Sequence, residues 1–254
     1  MTSKFAEKVV LVTGAGSGIG RQTAITFAKD GAKVIVSDIN ANAGQTTVDE
    51  IIANGANAIF VQMDVSKSEE VKSGIARGIQ YFGRLDCAVN NAGIGGRLAP
   101  TADIHTADWD KVLAVNLTGV WNCMKYEIPH MLKLETQCAI VNVSSIAGLV
   151  GMKRNAPYTA SKHGVIGLTK SAALEYANNN LRINAVCPAF TDTAMLDEMS
   201  IEKPDLKEKL HQGIPMNRLG NPQEIADAIL YLCSDKASFI TGHAMPLDGG
   251  LSIQ

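Results

Sequence analysis

No stretch of this chain is long and apolar enough to span a bilayer, and the opening residues Met1-Thr2-Ser3-Lys4-Phe5 lead straight toward an apolar strand without a signal-peptide pattern. A run of basic residues is missing as well. With 23 Lys and Arg against 25 Asp and Glu the net charge is -2, which argues against a nucleic-acid surface or an anionic membrane as partner. The five cysteines, at 87, 123, 138, 187 and 233, include no C-x-x-C or other zinc-like spacing. Several lie inside apolar runs, so they read as small core residues in a reduced, cytoplasmic setting. The histidines form no H-E-x-x-H cluster, so no metal is expected. Linkers and composition shifts are lacking too. What remains, 254 residues that are 46% hydrophobic and 19% charged, is the size and balance of one soluble α/β domain spanning 1–254.

What is present begins with Thr13-Gly14-Ala15-Gly16-Ser17-Gly18-Ile19-Gly20, placed between the apolar run Val9-Val10-Leu11-Val12 and an apparent helix over Arg21 to Lys29. Strand, glycine turn and helix start are the parts of a phosphate-binding βα unit. Glycines let the backbone approach a pyrophosphate, and the helix N-terminus offers free N–H groups. The spacing is G-x-x-x-G-x-G rather than G-x-G-x-x-G, and an ordinary tight turn also fits it. The next strand, Lys33 to Asp38, ends in an acid where an adenosine ribose hydroxyl would be held.

Short apolar strands then alternate with amphipathic helices. Further strands are read at Asn57 to Met63, Leu85 to Asn90, Ala139 to Val143, Leu181 to Cys187 and Ala244 to Leu247. Helices are read at Ala43 to Asn54, from a Ser66-Lys67-Ser68-Glu69 capping box through Tyr81, at Asp108 to about Leu134 with a bend near Pro129, and at Tyr158 to Ala177. Asn221 and Pro222, with Glu224, open the last main helix. Such alternation implies a doubly wound parallel sheet of Rossmann type, flanked by helices on both faces, with its ligand rim at the carboxyl ends of the strands. The cofactor rim falls mainly in 8–120 and the catalytic and substrate part in 140–220. The run Ala189 to Gly220 has no clean period and reads as a mobile segment over the rim.

Tyr158 and Lys162 stand four apart, on one face of a helix, where a cation favours a phenolate able to exchange a proton with an alcohol or carbonyl. A surface pair fits that spacing equally. Taken with Asp64-Val65, Asn90-Asn91-Ala92-Gly93, Asn116, Ser145, Pro188 and Thr193, however, the motif resembles the short-chain dehydrogenase/reductase family over essentially the whole chain. The resemblance implies Tyr158 as general acid/base, Ser145 holding the substrate oxygen in preference to Ser144, Lys162 lowering the tyrosine pKa and binding the nicotinamide ribose, and Asn116 supporting a proton-relay water through its backbone. It also implies cofactor contacts from Gly14, Ser17, Gly18, Ile19 and Gly20, from Asp38 and Ile39, from Asp64 and Val65, from Asn91, Ala92 and Gly93, from Tyr158 and Lys162, and from Pro188, Thr191 and Thr193. Ala189 stands where the family usually has glycine.

Asp38 would repel the extra phosphate of NADP, and no cation stands at Ser17, Ile39 or Asn40, so NAD is the expected cofactor. Arg21 and Lys33 are nearest in sequence but aimed elsewhere. The substrate pocket is expected among Ile94 to Leu98, Ile146 and Ala147, Val150 to Asn155, and Phe190, Met195, Leu196 and Met199, with Ile94, Arg97, Ser145, Ile146, Phe190 and Met195 as substrate contacts. Most are apolar, which suits a medium-sized, apolar or alicyclic secondary alcohol or ketone as the small-molecule partner, while Arg97, Lys153 and Arg154 leave room for an acidic group. The helix from Tyr158 is small and apolar on many sides, so a second subunit is expected against it, and the resemblance points to a homotetramer. His163 is read as a packing or interface residue. Two other readings stay open: an NADPH-dependent carbonyl or 3-oxoacyl reductase, and a non-catalytic dinucleotide-binding regulatory protein.

Overall fold

Short apolar runs become parallel strands buried on both faces. The computed structural model describes residues 5–193, 196 and 206–254, and among these it contains β1 (Val9–Thr13), β2 (Lys33–Asp38), β3 (Ala58–Gln62), β4 (Cys87–Asn90), β5 (Cys138–Val143), β6 (Leu181–Pro188) and β7 (Ala244–Leu247). Their order is β3-β2-β1-β4-β5-β6-β7, every pairing parallel. The chain reverses its direction of winding between β1 and β4, and a crevice opens there at the strands' carboxyl ends.

The helices are α1 (Gly18–Lys29), α2 (Ala41–Ala53), α3 (Ser68–Phe82), α4 (Thr106–Leu113), α5 (Gly119–Met131), α6 (Ala156–Tyr176), α7 (Leu206–Gly213) and α8 (Pro222–Cys233). Phe27 of α1, Val48 of α2 and Ile229 of α8 pack on one face of the sheet. Ile75 of α3, Met131 of α5 and Val165 of α6 pack on the other. The expected start of α8 is present, with Asn221 accepting from Gln223 N–H at 2.8 Å and Glu224 accepting from Asn221 N–H at 2.8 Å.

Two expectations are corrected, and a third falls partly outside the described residues. The capping box at Ser66 does not form: α3 begins at Ser68, the Ser66 hydroxyl donates to Asp64 at 2.7 Å, and Glu70 rather than Glu69 reaches back, to the Asp64 N–H at 3.0 Å. The long helix is broken not at Pro129, which α5 accommodates, but by a π-helical turn over Ala114–Thr118 that inserts an extra residue between α4 and α5. The run 189–220 carries α7 and a bridge between Thr191 and Gly220, while residues 194, 195 and 197–205, including Met195 and Met199, lie outside the described residues. The N-terminal Met1 to Lys4 lies outside them too.

All five cysteines are free and buried, and burial pushes the Cys138 thiol up to about 12 and the Cys187 thiol to about 11. Among the described residues no helix is long and apolar enough to cross a membrane.

Candidate active site

The glycine turn after β1 and the segment after β4 face each other across the crevice. At Gly14 φ is +61°, and a Cβ there would stand 2.8 Å from the Ala92 Cα, so the backbone needs glycine for both conformation and space. Asn91 pins the two walls by donating its side-chain N–H groups to the carbonyls of Thr13 at 3.0 Å and Gly14 at 3.1 Å. The Thr13 hydroxyl accepts from the N–H groups of Asn91 and Ala92. No side chain caps α1 and no acid stands in its first turn, so its leading N–H groups are left for an anion.

Asp38, closing β2, accepts from Gly16 N–H at 2.8 Å and from Asn40 N–H at 2.9 Å. Its carboxylate is thereby fixed at the rim. Of the two cations nearest in sequence, Arg21 pairs with Glu50 and Lys33 with Glu7, so neither is directed at Asp38. A cradle of glycine backbone, an uncapped helix start and a fixed acid at the second strand together suit the pyrophosphate and adenosine ribose of a nicotinamide dinucleotide.

These parts open onto one cleft of about 570 Å³. It is lined by Gly14, Ser17, Gly18 and Ile19, by Asp38 and Ile39, by Asp64 and Val65, and by Asn91 to Ile94. Ser145, Ile146, Met152, Asn155, Tyr158, Lys162, Pro188, Phe190, Thr191, Thr193 and Leu196 complete the expected lining, joined by Ala189. Ala189 takes no left-handed backbone, so its methyl is accommodated without strain. Gly20 lies beneath the cleft rather than in its lining: a Cβ there would overlap the Gly14 carbonyl oxygen and the Asn91 amide. Arg97, an expected substrate contact, is exposed and is not among the residues lining the cleft. Lys111 of α4 lines the cleft and was not foreseen, since nothing in its sequence neighbourhood marks it.

The reactive groups meet where β5 ends against α6. The Ser144 hydroxyl donates to the Lys162 carbonyl at 2.9 Å, whereas Ser145 starts a short 3-10 turn and lines the cleft, its hydroxyl accepting from the Ala147 N–H at 3.2 Å and donating to the Pro188 carbonyl at a longer 3.4 Å. Lys162 is buried, donates from Nζ to the Val143 carbonyl at 2.8 Å and lies 5.5 Å from the centre of the Tyr158 ring. Burial lowers its pKa to about 8. The expected depression of the Tyr158 pKa by Lys162 is not what this geometry produces. Burial raises the phenol, and only the Ser145 hydroxyl works against that rise.

Asn116 is fully buried in the π-helical turn and outside the cleft lining. Its side-chain oxygen accepts from Ile94 N–H at 2.8 Å, and its amide donates to the Ile94 carbonyl at 2.9 Å and the Ser161 hydroxyl at 3.3 Å. Asn116 thus ties the wall after β4 to α6.

A second polar cluster escaped sequence reading. Register pairs Asn90 with Asn142 across β4 and β5, and Asn90 donates to Asn142 at 3.0 Å and to Glu127 of α5 at 3.1 Å. Burial pushes Glu127 up from 4.5 to about 8, against the pull of the Asn90 hydrogen bond. A carboxyl raised in this way stays protonated in the fold while its unfolded counterpart ionises, so stability falls as pH rises from about 4.5 toward 8. Glu127→Gln is expected to remove that loss, gaining on the order of 2–4 kcal/mol at pH 8 relative to pH 5 in denaturant melts. An equal effect at both pH values would show that Glu127 ionises freely.

Comparison with known proteins matches this chain over most of its length. The family profile described as enoyl-(acyl carrier protein) reductase aligns with residues 14–252. A cyclohexanol dehydrogenase of Acinetobacter sp. (strain SE19) is 45% identical over 249 residues, covering 98% of this chain and 96% of that one. The crystal structure of levodione reductase superposes with a TM-score of 0.94 at 35% identity, covering 98% of both chains. A 3-ketoacyl-(acyl-carrier-protein) reductase from Brucella melitensis complexed with NADH gives a TM-score of 0.91 at 35% identity, over 98% of this chain and 100% of that one.

Proposed function

The chain belongs to the short-chain dehydrogenase/reductase family, whose members act on CH–OH groups with a nicotinamide dinucleotide, and from that premise we propose that it is an NAD-dependent dehydrogenase interconverting an alicyclic secondary alcohol and its ketone. The observation that carries the cofactor choice is Asp38, held by two N–H groups at the rim with the cations nearest in sequence paired elsewhere. A second phosphate on the ribose would meet that carboxylate as a like charge. The substrate end of the cleft is walled by Ile94, Ile146, Met152 and Phe190, which suits a ring of methylenes. The exposed face of α6, with Ala160, Gly167 and an 83% exposed Leu174, supports a homotetramer, and five buried free thiols support a cytoplasmic setting.

When bound, the nicotinamide supplies the hydride acceptor for alcohol oxidation and the donor for ketone reduction. Asp38 would hold the adenosine ribose, and the N–H groups opening α1 would meet the pyrophosphate. Ser145 offers its hydroxyl to the substrate oxygen. Tyr158 exchanges the proton with that oxygen at its own hydroxyl: as phenol it gives the proton to a ketone, as phenolate it takes one from an alcohol. Lys162, held by Val143, keeps its amine beside the Tyr158 ring and carries charge below about pH 8.

The test is turnover of a panel of cyclic secondary alcohols, hydroxy acids and a 3-oxoacyl thioester, with NAD(H) and NADP(H) in parallel. Oxidation of cyclic alcohols is expected, with kcat/KM at least about 100-fold higher for NAD, a difference of about 2.7 kcal/mol. Asp38→Ser is expected to narrow that ratio at least about tenfold. Preference for NADP in the unsubstituted protein, or turnover confined to the thioester with NADPH, would move the assignment to a carbonyl or 3-oxoacyl reductase.

A further inference from the structure

Among the described residues, the acids that line the cleft are Asp38 and Asp64, and its cations are Lys111 and Lys162. The two cations differ. Lys162 is 4% exposed, and its Nζ is bonded to the Val143 carbonyl. Lys111 is exposed, and among the described residues its side chain makes no ion pair and no hydrogen bond, not even with Asp108 one turn earlier on α4. An ammonium that lines a cleft, meets solvent and is neutralised by no carboxylate acts at a distance on any charged ligand that approaches.

Its place on the helix shows which end of the cleft it serves. Ala114 and Val115, one turn on, line the cleft as well, so this side of α4 faces it. Beyond the π-helical turn, a Cβ on Gly119 would stand 2.7 Å from Val65 Cγ2, and Asn122 donates to the Val65 carbonyl at 2.9 Å. The same side of the helix thus runs down against the segment after β3. Lys111, nearer the start, stands above that segment, at the end of the cleft that holds Asp38 and Asp64. A dinucleotide meets an electrostatic obstacle there. Its pyrophosphate is dianionic, the chain as a whole carries a net charge of -2, and Asp38 is fixed by the N–H groups of Gly16 and Asn40 rather than by a cation. Lys67 stands 3.8 Å from Asp64, which leaves the Asp38 carboxylate to repel the phosphates.

We propose that Lys111 draws the dinucleotide into the cleft: its ammonium attracts the pyrophosphate during approach and raises the association rate, while the N–H groups opening α1, across the crevice, hold the phosphates once they arrive. The inference rests on the dinucleotide reading above and not on the choice between NAD and NADP. Stopped-flow mixing of the full chain with NADH gives association and dissociation rates for the unsubstituted protein, Lys111→Gln, Lys111→Glu and Lys111→Arg. At about 10 mM ionic strength, where charges act over about 30 Å, Lys111→Gln is expected to slow association about threefold or more and Lys111→Glu about tenfold, with Lys111→Arg close to the unsubstituted rate. At about 1 M, where the reach is about 3 Å, the rates should converge. Dissociation should change less than about twofold throughout. Adenosine, which has no phosphate, should compete equally well against every variant.

The proposal is overturned if Lys111→Gln associates as fast as the unsubstituted protein at low salt, or if its slowing persists undiminished at high salt. Faster dissociation together with weaker competition by adenosine overturns it too, since Lys111 would then be a contact to the bound adenosine. If NADPH binds and NADH does not, the same rates are read with NADPH: slowing that salt removes supports the proposal while moving the cofactor choice, and unaltered rates overturn it. Binding of neither overturns the dinucleotide reading and the proposal together, whereas NADH binding with rates indifferent to residue 111 overturns the proposal alone.

Discussion

Tyr158→Phe is expected to lower kcat/KM for alcohol oxidation about 10³-fold or more while leaving the fold and NADH binding in place. The substitution removes one oxygen and keeps the ring that packs beside Lys162. It therefore separates proton transfer from packing. Because burial raises the Tyr158 pKa, the phenolate that oxidation needs is scarce at neutral pH. The unsubstituted enzyme should accordingly oxidise alcohols faster as pH rises through the alkaline range, and reduce ketones faster where the phenol is protonated. Whatever rate Tyr158→Phe retains should lack that dependence. Steady-state rates from pH 6 to 10, alongside a thermal melt, check both points, and retention of more than a tenth of the activity would remove Tyr158 from the proton-transfer role.

Gly20→Ala is expected to cost at least about 100-fold in NADH affinity, roughly 2.7 kcal/mol, with a parallel loss of stability. Its added methyl would overlap the Gly14 carbonyl oxygen and the Asn91 side-chain amide, and neither can yield cheaply. Asn91 is bonded at once to Thr13 and Gly14, so displacing it unlocks both walls of the crevice. Fluorescence titration with NADH and a denaturant melt measure the two effects. Unchanged affinity would mean that the turn moves aside without harm to the phosphate cradle.

The strands were legible because a buried parallel strand needs an unbroken apolar run, and Val9–Thr13 or Cys138–Val143 could hardly be read otherwise. The line of Gly14, Asp38, Asn91, Ser145, Tyr158 and Lys162 along one rim follows from the same alternation, since each stands at or just past a strand end or on the helix that packs there. Illegible features depend on distance across the fold. A period of hydrophobic residues does not reveal that one extra residue is accommodated at Ala114–Thr118, so Asn116 could be named but not its grip on Ile94 and Ser161. Arg97 and Asn155 were both placed in the pocket, yet only the three-dimensional path of the loops separates the exposed arginine from the buried, unsatisfied amide. The direction of the Tyr158 shift had the same fate: spacing brings Lys162 near, but burial decides the sign.

The contact between Asn91 and Thr13 joins residues 78 apart, with three complete strands and three helices in the intervening chain. During synthesis the glycine turn therefore emerges long before its opposite wall. Until β4 arrives, the edge of β1 stays unpaired and apolar, and a parallel pair of this separation is slow to close. The step that assembles the crevice is thus also one that covers a bare strand edge, so expression at lower temperature or with a holding chaperone acts on the same interval in which the cofactor site is made.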